Sequence, residues 1–241
     1  MKKLTWMLLA LFALAAAGLR VLQNKTGFES TGLAVRGNLP ALLLFAVLAL
    51  AAACFFWASR SLPAQRDVAG GMLDCFPFRD TLSLMCAVAG IFLTFAGAAL
   101  LLPSGGTAVL LSPLVLAGGG ALFYVVFSCR RGTEPQSVAL LAPALAMALY
   151  LVFTYRADAS NPVLMRIYVE MLALCALTLT AMERAAFAYR NGAPRIYVPL
   201  SAMSVVLALT AATDQKSLPV TLLFAGWALV ELGFLAEAKF E

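Results

Sequence analysis

The stretch Asn161–Arg195, NPVLMRIYVEMLALCALTLTAMERAAFAYRNGAPR, is a long apolar run with its charges gathered at the two ends. Arg166, Tyr168 and Glu170 stand near its start, Met171 to Met182 carries no charge, and Glu183, Arg184, Tyr189, Arg190 and Arg195 close it. A helix rises about 1.5 Å per residue, so about 20 apolar residues cross the hydrocarbon core of a bilayer. Hydrocarbon offers the backbone no hydrogen-bond partner, and a helix satisfies its own. The stretch therefore predicts a membrane-spanning helix with wet ends.

The rest of the chain repeats that pattern. Eight segments meet or approach the required length: Leu4–Leu22, Leu39–Ser59, Thr81–Leu102, Thr107–Ser128, Gln136–Tyr155, Pro162–Tyr189, Arg195–Thr213 and Leu218–Ala238. Of the 241 residues, 63% are hydrophobic and 12% charged, and the mean hydropathy is +0.92. Soluble domains run near 45–50% apolar and about 25% charged. A water-soluble globule of this size has no means of hiding so much apolar surface. The expected fold is all-α: one integral membrane domain over residues 1–241, a polytopic bundle of about eight spanning helices with the lipid bilayer as its solvent.

Helix starts carry a consistent signature. Asn38-Leu39-Pro40, Thr133-Glu134-Pro135, Ser160-Asn161-Pro162 and Ser217-Leu218-Pro219 each put a capping side chain just before a proline, and Asp80 is placed to cap the third helix. With the N-terminus cytoplasmic, 11 of the 17 basic residues fall on the inner side, among them Lys2, Lys3, Arg130, Arg131, Arg184 and Arg190. Arg20, Lys25, Arg36, Arg156, Arg166 and Lys216 fall outside. That asymmetry favours both termini inside a plasma membrane. Lys2-Lys3 followed by Leu4–Ala17 also resembles a secretory signal, and cleavage would leave seven helices. The run continues past Arg20 to Leu22, which favours a retained helix.

Candidate functional residues lie where the apolar pattern is interrupted. The fourth helix contains Pro113 and then Gly118, Gly119 and Gly120. This combination predicts either a broken helix whose freed carbonyls line a mid-membrane site, or small residues that admit a close neighbour. Glu231 lies about 20 Å along the last helix, beyond the membrane centre. It shares a face with Trp227 and Phe234, and is a candidate to carry a proton, to bind substrate, or to pair with an arginine such as Arg184. Arg166 and Glu170, four apart, make an interfacial network or an outer vestibule for a polar or anionic solute. Glu183-Arg184 and Tyr189-Arg190, at the inner end of the sixth helix, read as interfacial anchors. In the inner connection Arg60–Asp80, Phe76-Pro77-Phe78 is expected in the headgroup region or against a partner. A weak likeness between Leu82–Val88 and Leu200–Val206 allows a parallel four-plus-four repeat.

Absences narrow the chemistry. The chain has no histidine, and its five cysteines show no ligand spacing, so no metal or other cofactor is expected. HExxH, the phosphate-binding lysine loop and GxSxG are missing, and an enzyme is not expected. Basic residues are scattered at helix ends rather than gathered on a face, so nucleic acid is not an expected partner. Two functions remain: a small-solute or ion transporter, or transporter subunit, and a non-transporting accessory or scaffold protein that binds other membrane proteins.

Overall fold

The computed structural model describes residues 3–28, 37–62, 71–104, 108–158, 167–214 and 217–240. It is 85% helical, with no strand among the described residues. The helices are α1 (Lys3–Thr26), α2 (Leu39–Ser59), α3 (Met72–Cys75), α4 (Thr81–Leu101), α5 (Ala108–Arg130), α6 (Ser137–Asp158), α7 (Tyr168–Ala188), α8 (Pro194–Ala212) and α9 (Leu218–Glu237). All but the single turn α3 are long and apolar enough to cross a membrane, which gives the eight spans expected. The chain is a multi-pass integral membrane protein. Eight spans set the start of α1 and the end of α9 on one face, called here the terminal face.

Two of the expected caps form. The Asn38 side chain accepts from the Ala41 N–H, and that of Asp80 accepts from the Ser83 N–H at 3.1 Å. Ser217 makes no such bond, so α9 starts on its proline alone. The Ser160–Pro162 cap lies outside the described residues.

Neighbour follows neighbour from α4 to α9, and α9 returns to α4, closing a ring of six helices. The α1–α2 hairpin packs outside that ring, against α8. Burial follows: 67% of the α8 span is buried, against 28% for α1 and for α2, whose outer faces are left to lipid. The repeat suggested by sequence is not seen in this packing. It would pair α7–α8 with α2–α4, yet α7 lies along α8 while α2 and α4 form no comparable pair.

The closest approach in the ring is α4 against α9. A methyl group placed on Gly90 would stand 2.7 Å from the Val230 nitrogen, and one on Gly233 2.8 Å from the Ser83 carbonyl oxygen. Backbones this close leave no room for a side chain, so these glycines set the spacing of the pair.

Candidate functional site

Glu231, on α9, is completely buried and faces α7 and α8. Arg184, 1% exposed, donates from Nη1 to Glu231 Oε1 at 2.8 Å, and the Ser201 hydroxyl reaches the other carboxylate oxygen at 3.4 Å. The guanidinium lies over the Phe234 ring, 4.2 Å from its centroid. Farther from the terminal face, the Thr180 and Ser204 hydroxyls share a hydrogen bond of 2.7 Å between α7 and α8. The pairing considered for Glu231 is the one formed. Arg184 is therefore no interfacial anchor as expected: its charge turns inward, whereas Tyr189 and Arg190 are exposed. Two polar atoms here lack a hydrogen bond of full geometry, Arg184 Nη2 and the Tyr197 hydroxyl, which lies beside Arg184 and Ser201.

The approach from the terminal face is blocked. Phe76 and Phe78 are fully buried, not spread in the headgroup region as expected. Phe76 meets Phe187, Tyr197, Phe234 and Phe240 edge to face at 5.3 to 5.9 Å, and Phe78 meets Phe234 at 4.9 Å. The connection is clamped from several sides. Arg130 donates to the carbonyls of Phe78 and Arg79, and Glu237 accepts from the N–H groups of Arg79 and Asp80. The Lys239 N–H donates to the Cys75 carbonyl. Phe78 has φ +48, a conformation uncommon for a bulky side chain. At the start of α3, Glu134 accepts from the Leu73 N–H at 3.4 Å. Burial, the first cause, and the nearby Asp74 raise its carboxyl above the usual range, against the lowering effects of that hydrogen bond and Arg190.

A second polar cluster lies at the opposite end. Arg20 on α1 donates to Asp214, just past α8, and to Gln23 at 2.9 Å. Tyr168 donates to Gln23, lies under the Arg20 guanidinium and stacks on Phe45 of α2. Asn24, in a sequon of Asn-X-Thr form, turns its amide to the Thr213 carbonyl. Sequence reasoning missed this cluster, although an arginine inside an apolar run was its signal. Glu170 is buried, at 3% exposure, rather than standing in an open vestibule, and Arg166 lies outside the described residues.

The glycine triplet does not break its helix, because α5 is continuous through Pro113 and Gly118–Gly120. A methyl on Gly118 would meet Ala146 of α6 at 2.9 Å, and one on Gly119 would meet Phe95 of α4 at 2.6 Å. Gly120 has open space beside it. Gly118 and Gly119, with Val115, Met147 and Trp227, line a small apolar crevice between α5, α6 and α9. Glu231 is one turn beyond Trp227 but does not line it. The structure thus joins Glu231 to Arg184, and the triplet to Trp227, as two separate places.

Among the described residues, no group of three potential ligands from His, Cys, Asp and Glu comes together to hold a metal ion, and no cysteine forms a disulfide. Comparison with protein-family models, curated proteins and solved structures finds no match to this chain.

Proposed function

We propose that this protein is a small-solute or ion transporter, or the subunit of one, in the plasma membrane with its terminal face cytoplasmic. The observation that carries the reading is the Arg184–Glu231 pair, fully buried among three spanning helices. Withdrawing two opposite charges from water costs more than hydrophobic packing of the same volume, and ionisable groups at such depth belong by default to substrate or proton paths. The aromatic cluster around Phe76 and Phe78 then acts as a closed gate on the cytoplasmic side. Gly71, at φ +73, starts the segment that has to move.

The test is reconstitution of the full chain into liposomes loaded with a pH-sensitive dye. A proton gradient is imposed, and labelled small anions, cations and sugars are then supplied in turn. Flux above that of empty liposomes is expected, lost in Glu231→Gln and kept in Leu42→Ala, which changes an exposed side chain of α2. Liposomes no leakier than empty ones across the whole series would sink the reading.

The accessory-protein alternative has one observation in its favour: the crevice beside Trp227 is apolar and small rather than a polar cavity. It predicts a membrane protein co-purifying in fixed ratio and no flux.

A further inference from the structure

We propose that Arg184 and Tyr197 form the binding site for a small carboxylate anion, which enters together with one proton that Glu231 accepts. The inference rests on the transport reading above and names its substrate class. Its first support is charge balance. Arginine keeps its charge at any physiological pH, whereas a carboxylate loses its charge on protonation. The pair sums to zero, and a net charge so far from water is costly. An incoming anion that takes over the Arg184 guanidinium would leave a net charge of −1. The displaced Glu231 carboxylate removes that excess by taking the one proton that enters with the anion, and becomes a neutral acid. A cation drawn to Glu231 has no such exchange open to it, because Arg184 does not release its proton.

The second support is the set of unused donors. Arg184 Nη2 and the Tyr197 hydroxyl are buried without a hydrogen bond of full geometry, the hydroxyl lying beside Arg184 and Ser201, and both can donate to oxygen. A planar guanidinium matches the two oxygens of a carboxylate, and the present pair uses Nη1 toward one Glu231 oxygen only. Other elements packed on α9 bring no competing charge to Glu231 among the described residues. From α7 comes Arg184 and from α8 come Tyr197 and Ser201, while α4 meets α9 here through Ala87 and Gly90. Phe78 and Phe76 bear on Phe234, and Glu237 is held by the N–H groups of the connection. The aromatic surroundings suit an anion with a short apolar body.

The experiment is thermal unfolding of the full chain in detergent, with sodium acetate, butyrate, lactate or benzoate. Methylammonium chloride and glucose are the contrasting probes, and the series is run at pH 5.5, 6.5 and 7.5. At least one carboxylate should stabilise the protein, with apparent affinity falling about tenfold per pH unit as pH rises, because one proton binds with each anion. Glu231→Gln, fixed in the neutral form, should lose that slope. If this variant does not fold, Tyr197→Phe still decides: the lost hydroxyl makes no hydrogen bond of full geometry and only adjoins Arg184 and Ser201, so the ligand-free melting temperature should fall little while carboxylate affinity drops about tenfold. Stabilisation by none of the four carboxylates, stabilisation without a pH slope in the unaltered chain, or full affinity in Tyr197→Phe overturns the inference. A response to methylammonium or glucose alone would overturn it and leave the transport reading intact. Only silence here together with absence of flux in liposomes removes both.

Discussion

The two ends of the bundle each bury an arginine against an acid, and they do so differently. At the terminal end, Arg184 and Glu231 both belong to spanning helices of the ring, and aromatic rings close over them. At the opposite end, Arg20 comes from the peripheral hairpin and Asp214 from the turn after α8. That pair is buried as well, at 1% and 5% exposure, and ties α1 to the ring through Gln23, Asn24 and Tyr168. A charge pair between helix ends, with Gln23 as a further partner for its arginine, holds elements together. A pair inside three helices has to be kept neutral, and is the better place for chemistry.

Single substitutions should separate the ends most sharply. Glu231→Gln leaves Arg184 as a buried, uncompensated cation and should cost about 3–5 kcal/mol in stability. Adding Arg184→Gln should recover most of that loss, since both charges are then gone. Asp214→Asn keeps its hydrogen-bonding shape, and Arg20 keeps Gln23 as a second partner, so it should cost about 1–3 kcal/mol. Unfolding in detergent reads all three, and equal losses at the two ends would erase the distinction drawn between them.

The closing of one end is the next point to break. Phe76→Ala removes the ring at the centre of the aromatic cluster, and truncations of this kind cost about 3–5 kcal/mol in a packed core. The loss should be spent on local opening of the connection. Cys75 is fully buried and next in sequence, so its reaction with a maleimide should be at least about tenfold faster in the variant, the factor set by about 1.4 kcal/mol of easier opening. Unchanged labelling would mean that Phe76 does not hold the connection closed. The same burial makes Cys75 a poor marker of sidedness, for which the exposed Arg131→Cys is the better choice.

Between the ends, the α4–α9 seam should tolerate almost nothing and the α5 triplet a good deal. Gly226→Ala pushes a methyl to 2.7 Å from the Gly90 carbonyl oxygen and should cost about 1–3 kcal/mol. Gly120→Ala meets open space inside a helix and should be neutral or stabilising by up to about 1 kcal/mol. Melting temperatures of the two variants make the check, and a stable Gly226→Ala would remove the seam from the account.

What could be read in advance follows the same division. Lipid imposes length and composition on every span, so the eight helices were legible, and Glu231 stood out as a lone acid in an apolar run. Its partner was legible only as one choice among interfacial arginines, because depth along α7 does not reveal which way Arg184 turns. The triplet drew attention by being consecutive. The seam is built from Gly90 and Gly97 against Gly226 and Gly233, seven apart in each helix, a spacing that only matters once the two helices are known to be neighbours. Arg20 and Asp214 are 194 residues apart, and Phe76-Pro77-Phe78 carries no mark that it folds back beneath the bundle.

The smallest effect concerns the titration of the terminal end. The Glu134 carboxyl, on the connection between α5 and α6, holds the start of α3 through the Leu73 N–H. Its pKa is raised, first by partial burial and then by Asp74, which outweigh the lowering effects of the Leu73 hydrogen bond and Arg190, so the folded protein binds this proton more tightly than the unfolded chain does. The sign is therefore that protonation favours the closed segment: the contribution is complete below the unfolded carboxylate range and is lost as pH rises through the folded pKa. Glu134 is exposed, so solvent screens the effect and it stays small. The ratio of Cys75 labelling rates in the native chain and in Glu134→Gln cancels the thiol's own pH dependence. That ratio should rise with pH across the carboxylate range, and a flat ratio would leave the hold on the connection to Arg130 and Glu237 alone.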